Sequence, residues 1–183
     1  MGRRNFSIAN IVSSASGDEG RHRLGRVALL LGLALAAMPS APARAGEEQT
    51  AAACGTPGGP AGPRIEVVVT GARSMAGNMT VTLYGSRPGA FLARDGKLAR
   101  QRLPLRGAET EACFTVAAPG DYAVAVYHDE NNDHDFNRSI LGRPEEGFGF
   151  SNDAPTTIGL PSFDAVRFRI GPDGGRLTIR LRY

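Results

Sequence analysis

Residues 119–155 read PGDYAVAVYHDENNDHDFNRSILGRPEEGFGFSNDAP, and the opening of this stretch decides the fold. Pro119-Gly120 is a turn pair. Behind it Tyr122, Val124 and Val126 alternate with Ala123, Ala125 and Tyr127. A period of two marks a strand with one face turned into a core. A tyrosine opening a strand after a tight turn also matches the corner position of sandwich folds.

The same alternation recurs on both sides. Ile65, Val67 and Val69 alternate with Glu66 and Thr70, and Met79, Val81 and Leu83 alternate with Thr80 and Thr82. Lys97 to Arg106 is a weaker strand that Pro104 confines to an edge or bend. Phe114 and Val116 share one face of Glu111 to Ala117. Val166, Phe168 and Ile170 lead through Gly171-Pro172-Asp173-Gly174-Gly175, read as a hairpin loop, to Leu177, Ile179, Leu181 and Tyr183. About seven strands and no amphipathic helix predict an all-β chain folded as an antiparallel β-sandwich over residues 64–183. Its last hairpin presents Arg167, Arg169, Arg180 and Arg182 as a solvated polar face.

The appendages carry the address. Arg21, Arg23 and Arg26 precede the apolar run Val27 to Ala37, and Ala43-Arg44-Ala45 or Ala41-Pro42-Ala43 offers a cleavage site. That order predicts a secretory signal peptide within residues 1–45, on an apolar run too short for the roughly 20 residues of a spanning helix. The chain is expected in the periplasm or secreted. Residues 46–63 read as a Gly/Pro/Ala-rich linker. In an oxidising compartment Cys54 and Cys113 are expected to form a disulfide. The leader holds six of the 21 basic residues and two of the 18 acidic ones, so the rest carries a net charge of −1. That balance argues against a nucleic-acid partner.

The acidic loop is where chemistry concentrates. Asp129, Asn131, Asp133 and Asp135 sit at alternate positions, the spacing by which a curled loop turns oxygens toward a hard cation. The start matches the D-x-[DN]-x-[DN] pattern of a calcium loop, but His134 replaces its turn glycine and Ile140 its closing glutamate. Two readings stand: a calcium ion, Ca2+, held by these four residues with Glu130, Glu145 or Glu146 in support, or a turn in which Asp and Asn bond their own backbone. A metal-dependent hydrolase centred on His128 and His134 is a further alternative, but no nucleophile–base–orienter set accompanies them. His128 continues the inward row of its strand and reads as a hydrogen-bonded residue at the strand end.

Phe148 and Phe150 flank Gly149 in the second half of the stretch. They are candidate ligand-binding residues, an aromatic surface for an envelope glycan or a protein partner, unless both fold inward. A segment of about 35 residues between strands is longer than connections usually are, which marks it as functional or internally ordered.

The run from Pro119 to Ala154, followed by Pro161-Ser162-Phe163-Asp164-Ala165-Val166-Arg167-Phe168-Arg169-Ile170, resembles the bacterial secreted family catalogued as domain of unknown function 2141. The resemblance implies an immunoglobulin-like or prealbumin-like sandwich and no catalytic residues. Members carry Asn-Gly-Asn-Gly after Asp-Glu-Asn, whereas Asn132-Asp133-His134-Asp135 stands here. The expectation is a monomeric, exported, non-enzymatic binding or structural module.

Overall fold

The computed structural model describes residues 50–157 and 159–183. The expected signal peptide and its cleavage sites lie outside the described residues.

Nine strands are laid down in chain order: β1 (Ala51–Ala53), β2 (Arg64–Thr70), β3 (Asn78–Tyr84), β4 (Lys97–Pro104), β5 (Glu109–Val116), β6 (Gly120–Asp129), β7 (Phe148–Phe150), β8 (Phe168–Ile170) and β9 (Gly175–Arg180). One sheet has the order β1-β5-β2-β9. The other runs β4-β3-β6, with β7 and β8 end to end along the far edge of β6. Each alternating strand contributes one apolar row to the space between the sheets. Ile65, Val67 and Val69 face Met79, Val81 and Leu83, and Phe114, Tyr122, Val124, Val126 and Ile179 complete a core closed to solvent. Each such side chain contributes about 1.5–3 kcal/mol through the area it removes from water. The Tyr122 hydroxyl donates to the Ala118 carbonyl 2.7 Å away, pinning the turn that starts β6.

The expected disulfide is present: Cys54 is bonded to Cys113, just beyond Ala51–Ala53, which forms β1 against Phe114–Val116 within the linker. Three expectations are corrected. Val166 closes a one-turn helix, α1 (Phe163–Val166), capped by the Ser162 side chain, so β8 begins only at Phe168. The last two strands are not a ladder hairpin. β8 pairs β6 while β9 pairs β2 in parallel, so 171–174 carries the chain from one sheet to the other. The arginine row is consequently split: Arg167 and Arg169 meet Asp121, whereas Arg182 bonds the carbonyls of Asp153 and Ala154.

A second cluster covers the outer face of the larger sheet. Tyr84 and Ala123 on that face are packed by Phe150, Ala154, Phe163 and Val166, with Phe91 and Phe148 beside them. The chain between β7 and β8 therefore acts as a lid on this sheet. Ser151 stitches it down where neither β7 nor β8 pairs with β6. Its hydroxyl accepts from the Val124 N–H (3.0 Å) and donates to the Val166 carbonyl (2.6 Å).

Candidate functional site: an acidic turn that walls an aromatic pocket

The site starts where β6 runs out. Gly77, at φ +68°, crosses the end of that strand so closely that a Cβ would overlap the Asp129 carbonyl oxygen. Next along, His128 is fully buried. Its Nε2 lies 2.8 Å from the Ala76 carbonyl and its Nδ1 2.7 Å from the Tyr183 hydroxyl. With the proton on Nε2, Nδ1 accepts from Tyr183, whose oxygen accepts the Arg73 N–H at 3.0 Å. The Arg73 guanidinium lies over the Tyr183 ring and clasps Glu130 through Nε. That bond holds the Glu130 carboxyl below the usual range, although partial burial opposes it.

The acidic turn is built on Asp129, which is fully buried and accepts from two backbone N–H groups, Asp133 at 3.1 Å and His134 at 3.0 Å. Asn131 Oδ1 also accepts from Asp133 N–H, and its Nδ2 donates to Asp133 Oδ2 at 2.8 Å. Asp133 Oδ1 accepts from the Asp135 N–H, and Asn137 Nδ2 donates to Asp133 Oδ2. These donors, the Asn137 amide first, hold the Asp133 carboxyl below the usual range. Asp135 turns away to its own neighbour, the Phe136 N–H. So the structure joins Asp129, Asn131 and Asp133 in one network and sets Asp135 at its margin. The bend is made without glycine: His134 takes φ +68°, a conformation that costs a side-chain-bearing residue roughly 1–2 kcal/mol.

Of the three supporting glutamates, only Glu146 reaches under the turn. It is buried, and its two oxygens accept the N–H groups of Glu130 (3.2 Å) and Asn137 (3.0 Å). Burial raises its pKa, those two bonds lower it, and the charges of Asp129 and Asp133 raise it again. Glu130 is committed to Arg73 and Ser74, and Glu145 enters through its backbone. Among the described residues no group of three or more His, Cys, Asp or Glu side chains is placed to hold a metal ion. His134 is exposed and shares no hydrogen-bond partner with the buried His128.

What the turn delivers is Phe136. Its ring meets Tyr127 on β6 and Phe148 on β7 edge to face, both at 5.6 Å between centroids. Phe148 meets Phe150 at 6.1 Å and 77°, and Phe150 meets Phe91, which meets Tyr84. Five of these rings, all but Phe91, line an open cavity of about 240 Å³ on the outer face of the larger sheet, with Arg100 and Arg138 on its walls and Leu92 and Leu160 at exposed positions. Phe148 is half-buried and Phe150 buried, so the pair forms wall and floor, with no coplanar surface between them. The sequence reading missed Phe136, Tyr127, Arg100 and Arg138. An aromatic embedded in a run of acids and amides was the available signal, since it has no reason to sit in a solvated turn.

Fold and site together define a two-sheet sandwich with a long cross-connection that carries an acidic turn and encloses an aromatic pocket. The chain belongs to the bacterial family described as "Uncharacterized protein conserved in bacteria (DUF2141)", which matches residues 67–178. No curated protein and no solved structure gives a significant match.

Proposed function

We propose that this chain is a non-enzymatic, small-ligand-binding module, exported to an oxidising compartment, either periplasmic or secreted, and acting as a monomer. The observation that carries the reading is Phe136. A turn built from five interlocking polar side chains inserts one aromatic ring between Tyr127 and Phe148 at the pocket wall. Concave, mostly aromatic pockets with a few fixed polar groups are the usual form of ligand sites. Both ring nitrogens of His128 being committed to Tyr183 and Ala76 favours a binding role over catalysis. The Cys54–Cys113 disulfide favours export. The test is saturation-transfer NMR of the purified protein against a panel of small aromatic and aliphatic compounds, repeated on Phe136→Ala. Compounds that bind the parent and fail on the variant support the pocket. A panel that binds neither, or both alike, overturns it.

Calcium ordering of the turn is a second reading, and Glu146 is the observation that favours it. This buried carboxylate lies near enough to Asp129 and Asp133 for their charges to oppose its ionisation. A calcium ion would relieve that repulsion by taking oxygens from Asp129, Asn131, Asp133 and Glu146. Binding requires Asn131 and Asn137 to release Asp133. Thermal melts with calcium, and with magnesium as control, test it. At one hundred times the dissociation constant the ion adds about 2.7 kcal/mol. An unchanged melting temperature at millimolar calcium removes this reading and leaves the pocket untouched.

A further inference from the structure

We infer that the pocket takes a small monocarboxylate with an apolar or aromatic body, an inference that rests on the pocket being a ligand site. The body is set by the walls: Phe136 and Phe148 on one side, Tyr84 and Leu92 on the other. The volume of about 240 Å³ falls below the 300–1,000 Å³ of pockets for drug-sized molecules, so the occupant is compact.

The charge is set by two guanidinium groups. Arg100 projects from β4, an edge strand, and its Nε donates to Thr82 Oγ1 at 2.9 Å. That bond fixes the stem, and the Tyr84 hydroxyl takes a second hydrogen bond from the same guanidinium. A guanidinium has five N–H donors, so others remain for a further partner. The Arg138 guanidinium stacks over Phe136, 5.1 Å from the ring centre, so the ring that shapes the wall also holds this cation. Arg73, Arg167, Arg169 and Arg176 each meet a carboxylate, and of the ten other described arginines Arg100 and Arg138 are the two that line this cavity. Among the described residues neither Arg100 nor Arg138 has a carboxylate within 4.0 Å, although both line a cavity. Two cations over an aromatic cavity complement one anionic group on an apolar body. Guanidinium matches carboxylate in planar, two-pronged geometry. Of the acids near this wall in sequence, Asp133 and Asp135 accept N–H groups of their own turn, Glu130 is held by Arg73, and Glu146 lies under the turn.

The experiment compares phenylacetate with 2-phenylethanol, which share a ring and differ in charge. Titration into the purified protein is followed by tyrosine fluorescence and by NMR. The chain has four tyrosines and no tryptophan, so the emission reports on tyrosine, two of which line the pocket. Phenylacetate is expected to bind about tenfold or more tightly than the alcohol, the usual worth of a hydrogen bond to a charged group. R100M and R138M are each expected to reduce that preference, and the double variant to erase it, with the affinity for the alcohol changing far less than that for phenylacetate. Equal affinity of the two probes, or a preference that survives both substitutions, overturns the carboxylate assignment while the pocket stands. Failure of both probes to bind the parent protein counts against the pocket itself and overturns the assignment with it.

Discussion

The two faces of β6 are held by different kinds of force. The inward face carries Tyr122, Val124 and Val126 into a core where apolar rows from two sheets meet. The outward face carries a smaller apolar cluster around Phe150 and Phe163 and adds oriented polar bonds: Ser151 to Val124 and Val166, Asp129 to two backbone N–H groups, Glu146 to two more. Apolar burial is non-directional and roughly proportional to area. A hydrogen-bonded turn depends on direction, and it positions single side chains at small net gain. The inner face supplies most of the apolar burial, whereas the outer face fixes the direction of single side chains.

The sharpest way to break this contrast is to truncate one ring on each side. Phe114→Ala, in the core, is expected to cost about 3–5 kcal/mol in urea unfolding. Phe136→Ala, half-exposed on the turn, is expected to cost well under half of that while removing ligand binding. Equal losses would mean that the turn belongs to the same cooperative core.

Next in size is Asp129→Ala, which strips an acceptor from the N–H groups of Asp133 and His134. A loss of about 1–3 kcal/mol is expected, the penalty for stranding buried donors. Hydrogen exchange at those two amides should rise far more than exchange in β2 or β3. If all amides accelerate alike, the turn is not a separate unit.

The smallest effect concerns pH. Glu130 has a folded pKa below its ordinary value of 4.5, with the Arg73 bond the leading cause. Its contribution is therefore present above that value and lost as pH falls through the lowered one. Glu146 has the opposite shift. Its contribution is fully present below 4.5 and declines as pH rises toward its raised value. Arg73→Met should flatten the loss of stability below about pH 5, read from urea melts between pH 3 and 7. A variant with the parent's acid limb would show that the Arg73–Glu130 pair does not couple to folding.

How much the sequence disclosed follows the same division. Alternation exposed β2, β3, β5 and β6, because a period of two needs no knowledge of the partner. It was silent on pairing: the rows of β9 look the same whether the neighbour is β8 across a turn or β2 in parallel. β1 and β7 have three residues each, too few for a period. In the site, the Asp and Asn spacing pointed to the turn, of which the structure joins Asp129, Asn131 and Asp133 and leaves Asp135 at the margin. Its bonds could not be assigned, since a carboxylate that serves a cation and one that serves two N–H groups have the same spacing. Arg100 escaped notice because Phe136, on the same pocket's wall, comes 36 positions later.

The parallel partnership of β2 with β9 carries a consequence for how such a chain is made. A ribosome or an export channel releases residues in order, and β2 emerges more than a hundred positions ahead of the strand beside it. Throughout that interval one flank of β2 is a bare row of donors and acceptors, open to whatever extended segment passes. The last strand to be delivered is thus a clasp, and slowing its arrival should favour clumping over a finished fold.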